Sequence, residues 1–247
     1  MIDARKNLII LIFVLAGTLI SLGFLNFHKI DKNQSAQILL GQYNSPVNLP
    51  VKLSKGEVDY FTVNNRGRVV FYEKLDSMVY ETNLDGKNKK LLTKIPNASD
   101  IIFSPDGQKL IALVSGKKYL FDLLNNQKVE LNKKINMTSF SPSSEKIAFY
   151  TPNENSISIS NPDGSDSLTI LKTRISNLRL LWPEPDLIIF YPEQEISSFS
   201  LAFSITPDGK DFKKITQEEI NSYTEKNRDH SLFINPNDGK LYFLRLE

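Results

Sequence analysis

From residue 57 onward the chain is a succession of short apolar runs, each closed by Ser, Pro, Asn, Asp or Gly. One stretch sets the pattern. The apolar Ile101-Ile102-Phe103 runs into Ser104-Pro105-Asp106-Gly107, and a second apolar run opens at Leu110. Proline presets φ for a turn, aspartate accepts the next position, and glycine takes the positive φ that other residues resist. The stretch therefore predicts two antiparallel strands joined by a tight hairpin with a glycine bulge. It recurs: Phe140-Ser141-Pro142 leads to Ile147, Ile234-Asn235-Pro236-Asn237-Asp238-Gly239 to Leu241, and Val63-Asn64-Asn65-Arg66-Gly67 to Val70. In these copies the apolar anchor stands seven residues before the next run's first apolar residue. In a fifth, Trp182 to Leu187, the offset is two residues shorter.

The runs downstream of each copy repeat as well. Val69–Tyr72 is followed by Met78–Leu84, the turn Asp85-Gly86 and Leu91-Leu92. Leu110–Val114, Tyr119–Leu124, Asn125-Asn126 and Val129–Leu131 keep that order, and so do the runs after Phe140 and Trp182. Alternating apolar residues with Asp-Gly turns are hairpin signals, so each unit predicts four antiparallel strands. The anchors Val63, Phe103, Phe140, Trp182 and Ile234 stand 40, 37, 42 and 52 residues apart. Four-stranded units at about this period are the signature of propeller blades. A β-sandwich would satisfy the strand signals without requiring the same turn five times. The expected fold is all-β: a β-propeller of about five four-stranded blades, with a polar insertion at Gln217–Arg228 that is either a short helix or a loop.

Ahead of the repeat, Leu8–Phe27 is free of charge and long enough to span about 30 Å of hydrocarbon as a helix. The run exceeds the apolar core of a cleavable signal peptide, and no good cleavage site comes after it. Arg5 and Lys6 precede it, which favours a cytoplasmic N-terminus. The expected organisation is a cytoplasmic tail at 1–7, a transmembrane signal anchor at 8–27, a linker at 28–56 and an extracytoplasmic propeller at 57–247. The last unit reaches only its second strand by Glu247, so the apolar stretches at 38–40 and 47–53 are its available partners, and Pro50 confines the latter to a sheet edge.

The repeat resembles the TolB-type, WD40-like propeller repeat. The resemblance rests on Phe103-Ser104-Pro105-Asp106-Gly107, on Asn83-Leu84-Asp85-Gly86 with Leu92-Thr93, and on Thr206-Pro207-Asp208-Gly209 with Ile215-Thr216. It covers roughly residues 57–247. Phe140-Ser141-Pro142-Ser143-Ser144 departs from it by lacking Asp-Gly, and the Trp182 copy lacks the Ser and Gly. The resemblance implies a protein- or peptide-binding or scaffolding module at the cell envelope. A glycan-active propeller enzyme and a sensor ectodomain are the alternatives.

Composition narrows the chemistry. Thirty basic residues are nearly matched by 28 acidic ones, for a net charge of +2, and no polybasic block marks a nucleic-acid partner. Cysteine is absent and there are only two histidines, so disulfides, thiolate metal sites and a cysteine nucleophile are excluded. No G-x-S-x-G elbow or Gly-rich phosphate loop is present. The turn aspartates Asp85, Asp106, Asp163 and Asp208 are turn formers, and Trp182 is a packing anchor equivalent to Phe103. Glu193 and Glu195 form an acidic pair on a hairpin tip. No catalytic residue, cofactor or metal is expected. Counting three and four residues back from each anchor along the channel-lining strands reaches Asp59, Asp100, Arg179 and His230. These four are the candidate binding residues, as a polar channel mouth that takes a peptide or loop, with Arg179 receiving a carboxylate.

Overall fold

The computed structural model describes residues 49–192, 202–226 and 232–244, and the chain from Leu49 onward forms one compact unit. The run at 8–27, the stretch at 38–40, Glu193, Glu195 and His230 lie outside the described residues. Among the described residues no helix is long and apolar enough to cross a membrane.

The described chain is almost entirely antiparallel sheet. β1 (Val51–Lys52) comes first and joins the last sheet. The first sheet is β2 (Val58–Val63), β3 (Val69–Glu73), β4 (Met78–Thr82) and β5 (Lys90–Lys94) in sequence order. The second is β6 (Ala98–Phe103), β7 (Lys109–Val114), β8 (Lys117–Asp122) and β9 (Gln127–Glu130). The third is β10 (Thr138–Phe140), β11 (Ile147–Thr151), β12 (Ser156–Ser160) and β13 (Leu168–Lys172). The fourth is β14 (Leu178–Glu184), β15 (Leu187–Pro192), β16 (Ala202–Ile205) and β17 (Lys213–Ile215). The fifth has three strands in the order β18 (Leu232–Ile234), β19 (Leu241–Phe243), β1. Here Val51 pairs with Phe243 and Lys52 with Tyr242. The N-terminal strand thus supplies the third strand of the C-terminal sheet.

The sheets stack face to face because their middle strands are apolar on both faces. Side chains alternate across a strand. In β7, Leu110 and Ala112 join Val70, Tyr72 and Val79 of the first sheet, whereas Ile111 joins Phe140, Ile147 and Phe149 of the third. β11 divides likewise, with Ala148 and Tyr150 packed on Leu178, Leu180 and Trp182 of the fourth sheet. Every residue of β3 and β11 is buried. Leu232 and Leu241 of the fifth sheet share a core with Leu53, Val58, Val69 and Phe71.

In four of the five copies the recurring turn is held by the residue after the anchor. The Ser104 N–H donates to the Lys109 carbonyl, and its buried hydroxyl accepts from the Lys109 N–H, each at 2.9 Å. Ser141 repeats both bonds with Lys146, at 2.9 and 3.1 Å. Asn235 donates to the Lys240 carbonyl at 2.9 Å. In the first sheet the turn closes one residue earlier: Asn64 donates to Arg68, and Val63 pairs with Val69 rather than Val70. The seven-residue offset therefore describes three copies, and the first is shorter. In the copy without glycine, Ser144 takes the left-handed conformation that Gly107 takes in the second sheet, with φ of 64° against 66°.

The polar insertion is a helix, α1 (Gln217–Lys226). The Glu219 N–H donates to the Thr216 hydroxyl at 3.2 Å, and the Thr216 N–H donates to the Glu219 carboxylate at 2.7 Å. This reciprocal capping box satisfies two of the donors that a helix start leaves open. The helix buries Ile220 against Ile189, Ala202 and Ile215 of the fourth sheet.

Candidate functional site

A cavity of about 1040 Å³ receives residues from the first strand, or the turn after it, of all five sheets. The anchors Val63, Phe103, Phe140, Trp182 and Ile234 all line it. The residue before each anchor lines it as well: Thr62, Ile102, Ser139, Leu181 and Phe233. The turn prolines Pro105 and Pro142, Pro183 of β14, and Tyr223 of α1 complete most of the wall. Neighbouring first strands pack side by side, β2 on β6, β6 on β10 and β10 on β14. The same strand ends therefore converge from successive sheets.

Among the described residues, the lining contains no Asp, Glu, Lys, Arg or His. Its polar groups are hydroxyls, and the Ser139 hydroxyl is already engaged. A register shift between Leu181 and Glu184 of β14 takes the Trp182 N–H out of its own ladder, and it donates instead to the Ser139 Oγ at 3.0 Å. Trp182 is 8% exposed and packs in the core shared by the third and fourth sheets, so the cavity meets only part of the ring. Phe233 is more open and stacks on Tyr242 with centroids 5.8 Å apart. Such a wall favours an apolar or aromatic group over a charged one, because burying a charge without a partner is costly.

Of the sequence-derived candidates, the three described ones, Asp59, Asp100 and Arg179, do not line this cavity. Strands rise about 3.3 Å per residue, so positions three and four back from the anchors lie about 10–13 Å away, toward the starts of the inner strands. Asp59, Asp100 and Arg179 are exposed there. Asp59 sits at a register shift in β2 and pairs with Lys74 at 2.6 Å, and that bond raises the Lys74 pKa. Both line a second pocket of about 330 Å³ with Tyr60, Tyr72 and Ser99. Asp100 lies in a bulge of β6 with φ of 52°. It lies near Lys118, whose ammonium donates to the Asn136 carbonyl at 2.5 Å. Burial holds the Lys118 pKa down, and the Asp100 charge works against that shift. Arg179 is opposite Tyr191 in the β14–β15 ladder. Burial pushes the Tyr191 hydroxyl up, and the Arg179 charge opposes it. Sequence reasoning missed the charge-free wall itself, although its signal was present in the anchors and the residues before them.

Among the described residues, no group of three or more His, Asp or Glu side chains stands close enough to hold a metal ion.

No family model matches the chain, and neither does any curated protein. Solved structures do. A candidate TolB from Agrobacterium tumefaciens aligns over 71% of this chain and 70% of its own, with 16% identity and a TM-score of 0.50. TolB from Acinetobacter baumannii aligns over 81% of this chain and 49% of its own, with 16% identity and a TM-score of 0.44. The β-propeller domain of the Trilobed protease from Pyrococcus furiosus aligns over 64% of this chain and 57% of its own, with 18% identity and a TM-score of 0.41. The chain spans about half the length of several structures it matches. The likeness to the Agrobacterium protein shows the fold alone: a β-propeller of the TolB-like kind.

Proposed function

We propose that this chain is a membrane-anchored, extracytoplasmic propeller of five blades that binds a protein segment rather than transforming a substrate. The observation that carries the reading is the charge-free cavity on which all five inner strands converge. A wall of Phe, Trp, Pro and Ile has the chemistry to hold an inserted aromatic or aliphatic side chain from a partner's loop, and pockets of this make are where binding energy concentrates. Among the described residues of the wall the one titratable group is Tyr223, which supports binding over general acid–base catalysis. The five-blade count is supported by the three-stranded sheet that Val51–Lys52 completes. The charge-free run Leu8–Phe27 supports the anchor. Asp59, Asp100, Arg179 and His230 are assigned to a polar rim at the other end of the inner strands, where a partner's charged flanks would lie.

The test places a charge in the wall. Thr62 is half-buried and lines the cavity, so Thr62→Arg projects a guanidinium into it. Peptides selected from a random displayed library on the wild-type chain should be rich in aromatic and proline residues. They should bind Thr62→Arg at least about tenfold more weakly, the loss expected when a hydrophobic anchor is displaced, while the melting temperature holds. Selected peptides that bind both proteins equally would place the site elsewhere and refute the reading. Resistance of the full chain to alkaline carbonate extraction from membranes tests the anchor separately.

A further inference from the structure

The two ends of the strands carry basic residues in different company. On the cavity end, several cations beside the hairpin turns are paired with carboxylates. Lys210 pairs with Asp208 at 2.9 Å, Lys240 with Asp238 at 3.6 Å, and Arg68 with Glu81 at 3.0 Å. The opposite end is the crossover face, where each sheet hands the chain to the next. It carries Lys117, Lys133, Lys134, Lys172, Arg174 and Arg179, all exposed and all drawn from the second to the fourth sheets and their crossovers. Glu130 pairs with Lys117 at 2.9 Å and Glu154 with Lys134 at 2.8 Å. Lys133, Lys172 and Arg174 have no ion pair among the described residues. Lys133 and Arg174 lie on successive crossovers, at 131–137 and 173–177, and Lys172 ends β13. The Glu154 pKa is held down by its bond to Lys134 and also by the Lys172 charge, which brings the two crossovers into one patch.

The chain also enters the fold from this end. β1 begins at Val51, opposite Phe243, and β19 runs from the turn after anchor Ile234 toward the crossover face. The described chain thus begins at the face that carries Lys133, Lys172 and Arg174.

We infer that the crossover face is a docking surface for an anionic phospholipid bilayer, with Lys133, Lys172 and Arg174 as its principal contacts. The inference rests on the membrane-anchored reading above. The crossover face turns toward the bilayer, and the charge-free cavity opens away from it toward a partner. Each basic residue brought to an anionic surface strengthens binding by roughly fivefold, and the effect fades beyond the Debye length. The paired cations of the cavity end, Arg68, Lys210 and Lys240, contribute less.

The test uses the full chain in vesicles of phosphatidylcholine alone or with about a third phosphatidylglycerol. Carbonate extraction reads the anchor, and a membrane-impermeant amine-acylating reagent reads the face on outward-facing molecules. Phosphatidylglycerol should lower acylation of Lys133 and Lys172 by at least about threefold at low salt, with recovery at high salt. Lys87 and Lys210 on the cavity end should be unchanged. The variant Lys133→Glu/Lys172→Glu/Arg174→Glu provides a second readout, because its remaining crossover-face lysines Lys117 and Lys134 should show no lipid-dependent protection. Equal acylation in the two vesicle types, in a chain that resists carbonate, overturns the inference and leaves the anchor standing. If carbonate extracts the chain, the anchor reading fails and flotation on anionic vesicles reads the face alone. Flotation that the triple variant loses supports the face, and no flotation overturns it. Protection by a soluble anionic glycopolymer but not by anionic vesicles assigns the face to a polysaccharide and overturns the lipid proposal.

Discussion

The Leu241 N–H donates to the Ser54 hydroxyl at 2.9 Å in a buried site, joining residues 187 positions apart in the chain. The Ser54 hydroxyl in turn donates to the Gly56 carbonyl at 2.8 Å, and the Leu53 N–H donates to the Leu241 carbonyl at 2.9 Å. Together with β1 these bonds fasten the start of the described chain to its last sheet. Ser54→Ala leaves the buried Leu241 N–H without that acceptor and should cost about 1–3 kcal/mol. Denaturant unfolding should show a lower midpoint at unchanged slope. Removing residues 49–56 also takes Leu53 out of the core between the fifth and first sheets, and it should abolish most of the cooperative transition. A truncated chain that melts like the wild type would mean that this segment does not hold the fold together.

Glu73 ties the same segment to the first sheet. It is 3% exposed; its carboxylate accepts the Lys55 N–H at 2.8 Å and the Lys89 ammonium at 2.6 Å. Lys89 also lies 3.8 Å from the centroid of the Tyr80 ring. Removing one member of a buried pair leaves the other charge uncompensated, so Glu73→Ala should cost about 3–5 kcal/mol. Glu73→Gln keeps an oxygen for the Lys55 N–H and should cost less. Equal losses for the two variants would assign the whole effect to the charge and none to the backbone bond.

Gly107 and Gly67 separate backbone strain from contact between sheets. Both hold positive φ, at 66° and 68°. A Cβ on Gly107 would lie 2.9 Å from Cβ of Asn64 and 3.0 Å from Cγ2 of Val70, whereas one on Gly67 meets nothing within 4 Å. Gly67→Ala should therefore cost about 1–2 kcal/mol, the penalty of the left-handed region alone. Gly107→Ala should cost at least about 1 kcal/mol more, because the first two sheets must part. Ser144 bears the same backbone strain but accepts the Asp106 N–H at 3.0 Å across sheets. Ser144→Gly should come out near neutral, and Ser144→Ala destabilising by about 1–2 kcal/mol.

The turn pattern made the fold legible because a Ser or Asn after four of the five anchors does one job: Asn64, Ser104, Ser141 and Asn235 close the turn and set the next strand's register. The polar mouth was less legible because counting back from an anchor assumes an unbroken ladder. β2 shifts register at Asp59 and β6 between Ser99 and Ile102, and a bulge changes which way the residues beyond it face. The cavity wall, within two residues of the anchors, lies on the unshifted side of both bulges. The helix at 217–226 was legible in principle: Thr216 and Glu219 have the spacing of a capping box. A polar composition and a weak apolar face obscured it.

Alkaline pH should loosen the first sheet. Burial raises the Tyr80 pKa to about 12, and the Asp76 carboxylate, which accepts its hydroxyl at 2.8 Å, adds to the shift. The folded state thus holds this proton above the unfolded value of 10.0. Its contribution to stability is complete below that value and is lost as pH rises toward about 12, since the unfolded chain binds fewer protons across that window. Tyr80→Phe should flatten stability against pH there, and the tyrosinate absorbance of the wild type should contain one late-titrating group that the variant lacks. An identical slope in both proteins would remove Tyr80 from the explanation.

The helix beside the cavity can be tested for a part in binding. α1 contributes Tyr223 to the wall and is held by the buried Ile220 and the capping box of Thr216 and Glu219. Thr216→Ala removes the side-chain acceptor for the Glu219 N–H and should cost about 1 kcal/mol. Thr216→Ser retains it and should cost little. Ile220→Ala leaves a void against Ile189 and Ile215 and should cost about 2–5 kcal/mol. If the helix positions Tyr223 for binding, Thr216→Ala should speed amide exchange over 217–223 and weaken the selected peptides, whereas Thr216→Ser should do neither. Tyr223→Phe should bind as the wild type does, because the wall uses the ring. Faster exchange in Thr216→Ala with unchanged peptide affinity would make α1 a packing element of the fourth sheet, with no part in the site.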